Sequence, residues 1–276
     1  MKSVPRDHQA FRRNLAYAHH PGQQLLLDVY RPDVTHDVPA VLYFHAGGWR
    51  AGSKDHCLVR WLVRYGLAVV PVNYRLVPRY LFPDQIHDAK AAVRYIRAHA
   101  EDLGLIPDQI AAAGASSGAH LACLLGLTAG NADFEGEGEG DHPDVSSEVN
   151  AVVNYFAPTD FLRLQRGRSK LVESGSKAPE ARLLGHAITE DTERSQWASP
   201  LTYVKEGAPP FLHVHGELDD FTPLEQTRSL HAALESEGSV SKLLLVRGAG
   251  HGGRMIFDHR SIRDRVASFL LRHMGE

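Results

Sequence analysis

Short, almost wholly apolar runs recur along the chain: QLLLDVY at 24–30, AVLYFH at 40–45, LAVVPV at 67–72, IAAA at 110–113, AVVNYF at 151–156, FLHVH at 211–215 and KLLLV at 242–246. Runs of this length with little polar alternation suit strands covered on both faces, which predicts a mainly parallel sheet. Between them the apolar residues return at helical spacing. Ile86, Ala89, Ala92, Val93 and Ile96 predict a helix within 84–103, and further helices are expected from near Ser117, over 223–237 and over 262–274. Strand and helix therefore alternate for most of the length, the pattern of an α/β fold with helices on both faces of a central sheet. Two stretches break the alternation. Residues 134–144 (FEGEGEGDHPD) are too rich in glycine and acid to pack and read as a mobile surface loop without calcium-loop spacing. Residues 161–200 are polar, with a weak helical signal at 178–184, and read as a small lid-like insertion or a long connection.

The chemistry sits where strands end. Gly114-Ala115-Ser116-Ser117-Gly118 follows an apolar run and precedes a helix. A turn that sharp strains its middle residue, needs small flanking residues, and sets a hydroxyl over a helix N-terminus. An N-capping serine in a glycine-rich turn gives the same letters, so the surroundings decide. His45-Ala46-Gly47-Gly48-Trp49 leaves the 40–45 strand, and its paired glycines can turn backbone N–H groups toward an oxyanion. A serine hydroxyl needs a base. Of 17 histidines, His251 stands out, held between glycines in Gly248-Ala249-Gly250-His251-Gly252-Gly253 after the last strand. His120, His213 and His215 lie on regular elements and read as structural. The loop Glu217-Leu218-Asp219-Asp220 offers a carboxylate to orient the imidazole; Asp219 is preferred, Asp220 is the adjacent rival and Glu217 a third choice. The order Ser…Asp…His is the one used when a serine sits on a strand-to-helix elbow. Trp49, Tyr74, Phe82 and Phe221 lie near these loops and are candidate pocket residues, each equally suited to the core.

These motifs, with Leu27-Asp28-Val29-Tyr30-Arg31-Pro32, Asn73-Tyr74-Arg75-Leu76, Phe82-Pro83 and Asp88, Ala198-Ser199-Pro200-Leu201 and Pro209-Pro210-Phe211-Leu212, cover nearly the whole chain. Together they resemble the hormone-sensitive-lipase-like and feruloyl-esterase-like carboxylesterases of the α/β-hydrolase superfamily. The resemblance implies one α/β-hydrolase domain over 1–276 with a small insertion at 161–200. It also implies Ser116 as nucleophile, Asp219 as acid and His251 as base, and it favours Asp219 over Asp220 because the family's acid sits four residues after the histidine of its H-G-x-x-D motif. Gly47, Gly48 and Ser117 would supply oxyanion N–H groups, with His45 shaping the loop. The sequence departs at Ala46, where the family has glycine; a methyl there would cost about 1–2 kcal/mol if the position needed positive φ. It departs again at Ser117, where alanine is common and the N–H is kept.

Composition narrows the function further. The chain has 276 residues, 43% hydrophobic and 23% charged, with a formal net charge of −3, which argues against a nucleic-acid partner. Two cysteines, Cys57 and Cys123, make neither a disulfide framework nor a zinc site. No metal motif or phosphate loop occurs, and no cofactor is implied. With no signal-like N-terminus and no long apolar run, a cytoplasmic protein away from the membrane is expected. A homo-oligomer formed through an edge strand is compatible, with no marker for it. The expected function is a serine carboxylesterase acting on small-molecule short-chain acyl or aryl esters through an acyl-enzyme. An amidase, formamidase or peptidase using the same triad, and a non-catalytic binding protein of the same fold, remain as alternatives.

Overall fold

A computed structural model describes residues 11–136, 142–170 and 172–275. Eight strands form one sheet in the order β1-β2-β4-β3-β5-β6-β7-β8. They are β1 (Arg12–His20), β2 (Gln23–Val29), β3 (Val38–Phe44), β4 (Ala68–Val72), β5 (Leu105–Ala115), β6 (Ala151–Tyr155), β7 (Phe211–Gly216) and β8 (Ser241–Val246). β1 pairs antiparallel with β2, β2 antiparallel with β4, and all remaining pairs are parallel. The apolar runs predicted as strands are mostly buried ones; the run in the edge strand β8 is the exception, with Leu243, Leu244 and Leu245 half-buried. β1 was not predicted, because only Tyr17 and Ala18 of its nine residues are buried and its polar letters carry no strand signal.

The helices are α1 (Asp84–Ala98), α2 (Ala100–Leu103), α3 (Ser117–Leu127), α4 (Ala132–Glu135), α5 (Pro179–Leu184), α6 (Thr192–Trp197), α7 (Leu224–Ser236), α8 (Arg254–Phe257) and α9 (Arg260–Met274). The helical stretch expected over 84–103 divides at His99, and Gly104 ends it in a left-handed conformation. Two apolar clusters sandwich the sheet. One packs α1 and α3 residues such as Ile86, Val93 and Leu121 against Leu42 and Val70; the other packs α9 residues Val266 and Leu270 against Val41 and Val153. Alternate side chains of β3, β4, β5, β6 and β7 feed opposite clusters, as the strand period of two requires.

The acidic stretch begins in the core. Phe134 is fully buried against Phe82, Trp197 and Tyr203. Glu135 accepts from Ser147 Oγ at 2.8 Å and from Arg94 Nη1 at 3.0 Å, and it pairs with the buried Lys90. Phe134 is thus held in the core and Glu135 against α1, where a mobile loop was expected; one aromatic ring and one carboxylate outweighed the glycine-rich letters. Residues 137–141 of that stretch, like residues 1–10 of the expected leaderless N-terminus, lie outside the described residues.

Candidate active site

Every loop that matters leaves a strand at its carboxyl end, which is where parallel α/β sheets present ligand sites. The tightest is the turn from β5 into α3. Ser116 has φ 54° and ψ −119°, a left-sided conformation that a serine adopts only when its surroundings impose it. Two close approaches impose it here. A Cβ on Gly114 would lie 2.2 Å from the Gly118 carbonyl oxygen, and one on Gly118 would lie 2.0 Å from that of Phe44. Strand and helix meet with no room for a side chain at either position.

Above this turn the side chains make a hydrogen-bonded line. Ser116 Oγ is 3.0 Å from His251 Nε2, and His251 Nδ1 is 2.8 Å from Asp219 Oδ2. Both imidazole nitrogens are thereby assigned: Nδ1–H donates to the carboxylate, leaving Nε2 to accept the serine proton. Asp219 is 7% exposed. Its other oxygen accepts the backbone N–H groups of Phe221 at 3.0 Å and Thr222 at 2.9 Å. The fully buried His215 adds a contact at 3.2 Å to Oδ2. Burial pushes this carboxyl up, but the bonds from His215, His251 and Thr222 outweigh it and bring it down to about 2. The neighbouring Asp220 and Glu217 are exposed. The loops carrying Asp219 and His251 are tied together by Leu218 N–H donating to the Ala249 carbonyl at 2.8 Å.

The low carboxyl has a consequence for acid stability. Because the folded value lies below the ordinary 3.8, ionised Asp219 favours the folded state; that contribution is complete above about pH 5 and is lost as pH falls toward 2. It amounts to roughly 2 kcal/mol. Urea midpoints measured at about pH 5 and about pH 2.5 should therefore drop less in Asp219→Asn than in the unaltered protein. Equal drops would show that the carboxylate is not held as described.

The glycine loop after β3 turns over the serine. Gly47 has φ 135° and Gly48 φ 59°, and Arg50 and Ala51 N–H both donate to the Gly47 carbonyl at 3.1 Å. Among the described residues the N–H groups of Gly47 and Gly48 have no acceptor, and that of Ser117, first in α3, has none within its helix. Ala46 is absent from the positive-φ residues, so its methyl strains nothing; the strained non-glycine residue of this loop is Trp49, with φ 57°. His45 stacks on Tyr74 at 4.3 Å and hydrogen bonds the Ala46 carbonyl at 2.9 Å, and burial takes its pKa down to about 4, so it shapes the loop as a neutral ring. His120, brought down to about 4 by burial, contacts the Ala198 carbonyl at 2.8 Å, and His213, brought down to about 3, lies against Asn154 and Ser241.

A cleft of about 450 Å³ borders Ser116 and is lined by Gly47, Gly48, Pro179, Arg182, Phe221 and His251 among others. Of the four aromatic pocket candidates only Phe221 lines it. Trp49 is 2% exposed and packs edge-on against His120 and Phe161. Tyr74, also 2% exposed, donates its hydroxyl to the His45 carbonyl at 2.8 Å. Phe82 is 1% exposed among Phe134 and Trp197. None of the three faces the cleft: Tyr74 ties down the His45 end of the glycine loop, and Trp49 and Phe82 both pack against His120 of α3. Sequence reasoning missed Phe156, whose ring lies 4.6 Å from that of His251, and the insertion residues Pro179 and Arg182. The place of Phe156 at the carboxyl end of β6 was the available signal; nothing marked the other two. Among the described residues no group of three His, Cys, Asp or Glu side chains could hold a metal ion, and no helix is long and apolar enough to cross a membrane.

Comparison with known proteins finds esterases among the relatives of this chain. The esterase LipC of Mycobacterium tuberculosis is 34% identical over 87% of this chain and 59% of its own length. This chain thus spans about half the length of the curated relatives it matches, the covered share being 48% for another mycobacterial relative. Among solved structures, a truncated carbohydrate esterase from gut microbiota superposes with a TM-score of 0.86 at 27% identity, covering 97% of each chain. A thermophilic esterase of the planctomycete Thermogutta terrifontis, solved with propionate bound, gives a TM-score of 0.78 at 26% identity, covering 99% of this chain and 97% of its own. The fold is the α/β-hydrolase fold. With a family model matched across residues 27–234, from the end of β2 to the end of α7, the chain belongs to the BD-FAE family.

Proposed function

We propose that this protein is a serine carboxylesterase that hydrolyses small-molecule esters with short acyl chains through an acyl-enzyme on Ser116. The observation that carries the reading is the continuous line Asp219–His251–Ser116, with contacts of 2.8 and 3.0 Å. His251 Nε2 takes the hydroxyl proton as Ser116 Oγ attacks the ester carbonyl carbon. The imidazolium is stabilised by Asp219, and the N–H groups of Gly47, Gly48 and Ser117 hold the oxyanion. The proton then passes from Nε2 to the leaving alkoxide, and water repeats the sequence on the acyl-enzyme. The named esterases among the relatives support this assignment. The insertion contributes Pro179 and Arg182 to the cleft and acts as its outer wall. A reducing compartment such as the cytoplasm suits the two free cysteines.

Fluorophosphonate treatment followed by peptide mass spectrometry tests the reading: the label is expected on Ser116, with hydrolysis of 4-nitrophenyl acetate abolished in step. A binding protein would neither react nor hydrolyse. An amidase would turn over the matched 4-nitroanilide at a rate comparable with the ester.

The oxyanion role of the glycine loop makes a graded prediction. At Gly47 a Cβ would lie 2.0 Å from the Ala51 carbonyl oxygen, so Gly47→Ala must break the turn; at Gly48 the methyl costs about 1–2 kcal/mol of strain at φ 59° but meets only Pro179 Cβ, at 3.5 Å. Steady-state kinetics should show kcat falling by about 10²–10³ for Gly47→Ala and by much less for Gly48→Ala. Equal effects would mean that the turn does not set the donors.

A further inference from the structure

A second cavity, of about 680 Å³, adjoins the Ser116 cleft, and Ala46 and His251 stand in the walls of both. The 3₁₀ turn Arg60–Tyr65, α8 and α9 supply part of the remainder. Its lining holds four arginines, Arg60, Arg64, Arg254 and Arg263, against the single carboxylate of Asp258, in a chain whose formal net charge is −3. That carboxylate is already engaged, by Arg263 at 2.7 Å and by Arg254 at 3.4 Å. Arg263 is further fixed by its bond to the Phe257 carbonyl at 2.7 Å and by its place over the Trp61 ring. Arg60 makes no ion pair among the described residues; its guanidinium lies over the Tyr30 ring, 5.3 Å from the centroid. Cys57 also borders the cavity, but burial pushes its thiol up to about 12, so it brings no negative charge. Trp61, Phe156 and Phe257 give the walls an apolar, ring-lined character.

Concentrated positive charge in a concave, partly apolar site attracts anions and focuses their approach. Guanidinium groups beside aromatic walls suit a carboxylate on a flat apolar body. The position says which half of an ester enters. The cleft with Gly47, Gly48 and Ser116 holds the carbonyl. The arginine-lined cavity shares none of those three, yet shares His251, the group that hands its proton to the leaving oxygen. We propose that this cavity is the subsite for the leaving alcohol and selects alcohols that carry a carboxylate on an aromatic or apolar body. The inference rests on the esterase reading above. The chemistry is unchanged: the Ser116 Oγ–acyl bond forms, the ester C–O bond breaks, the His251 proton goes to the alkoxide, and the carboxylate is held without reacting.

The test compares kcat/KM for 4-acetoxybenzoate and its neutral counterpart 4-acetoxybenzamide. The carboxylate is expected to be preferred on the order of tenfold, and added salt to shrink the preference. In the double variant Arg60→Gln, Arg254→Gln the ratio should fall to near one; being a ratio, it is insensitive to any loss of folded enzyme. Arg12→Gln, on the exposed edge strand β1, controls for net charge and should leave the ratio as it is. A ratio of one or less in the unaltered enzyme overturns the inference, as does a ratio that survives the double variant. A preference on the acyl side instead, for mono-4-nitrophenyl succinate over 4-nitrophenyl butyrate, overturns it too. Cleavage of both acetates without charge preference removes only this inference; failure to cleave either removes the esterase reading with it.

Discussion

Ser116→Ala is expected to lower kcat toward short-chain 4-nitrophenyl esters by about a million-fold, while Ser117→Ala changes it little. The two hydroxyls are adjacent in sequence and both buried, yet only Ser116 Oγ meets His251 Nε2, at 3.0 Å. Ser117 contributes a backbone N–H, which alanine keeps. The Ser116 substitution should leave the fold alone. Alanine bears the same φ of 54° no worse than serine does, and the backbone bonds from Ser116 N–H to the Tyr155 carbonyl and from His120 N–H to the Ser116 carbonyl remain. Near-equal melting temperatures would therefore identify the loss as chemical. A Ser116→Ala enzyme keeping more than about a hundredth of its kcat would end the assignment.

How far this site could be read from letters depended on whether a residue's role is local. The elbow is local: Gly114, Ser116 and Gly118 lie within five residues, and the constraint that selects them acts between consecutive elements. The candidate base stood out because glycines surround His251 after a strand. The buried strands were legible because a sheet covered on both faces writes continuous apolar runs. What failed was non-local. Phe134 and Glu135 looked like part of a solvated loop because their partners, Phe82, Trp197, Lys90 and Arg94, are distant in sequence. Trp49, Tyr74 and Phe82 looked like pocket residues because nearness to a loop in sequence does not say which side of the loop a ring takes. Concern over Ala46 was likewise misplaced: the loop's non-glycine strain sits at Trp49, whose indole is held between His120 and Phe161.

The choice between two adjacent carboxylates is the other point that letters left open, and substitution should separate them sharply. Asp219→Asn is expected to lower kcat by about ten-thousand-fold, and Asp220→Asn by no more than a small factor. An asparagine at 219 has no satisfactory orientation. With its oxygen toward the Phe221 and Thr222 N–H groups, its NH₂ faces both His251 Nδ1 and His215 Nε2. The His251 ring must then carry its proton on Nε2, where it faces Ser116 and cannot act as a base. With the amide flipped, the oxygen serves His251 but the NH₂ meets two backbone donors. His215 narrows the outcome further. Its Nε2–H also donates to the Thr222 carbonyl at 3.0 Å and its Nδ1 accepts from the Thr227 hydroxyl at 2.7 Å, so its proton stays on Nε2 and it offers the amide NH₂ no acceptor. Either orientation therefore sets donors face to face, and the hydrogen-bonded line from residue 219 to His251 is lost or its tautomer inverted. Asp220 is exposed, and only its backbone carbonyl is engaged, by Ser169 N–H at 2.7 Å. Single-turnover acylation by 4-nitrophenyl acetate isolates the step concerned. If Asp220→Asn proved the slower variant, the carboxylate orienting His251 in solution would be the neighbour, and the loop from Gly216 to Phe221 would have to rearrange on substrate binding.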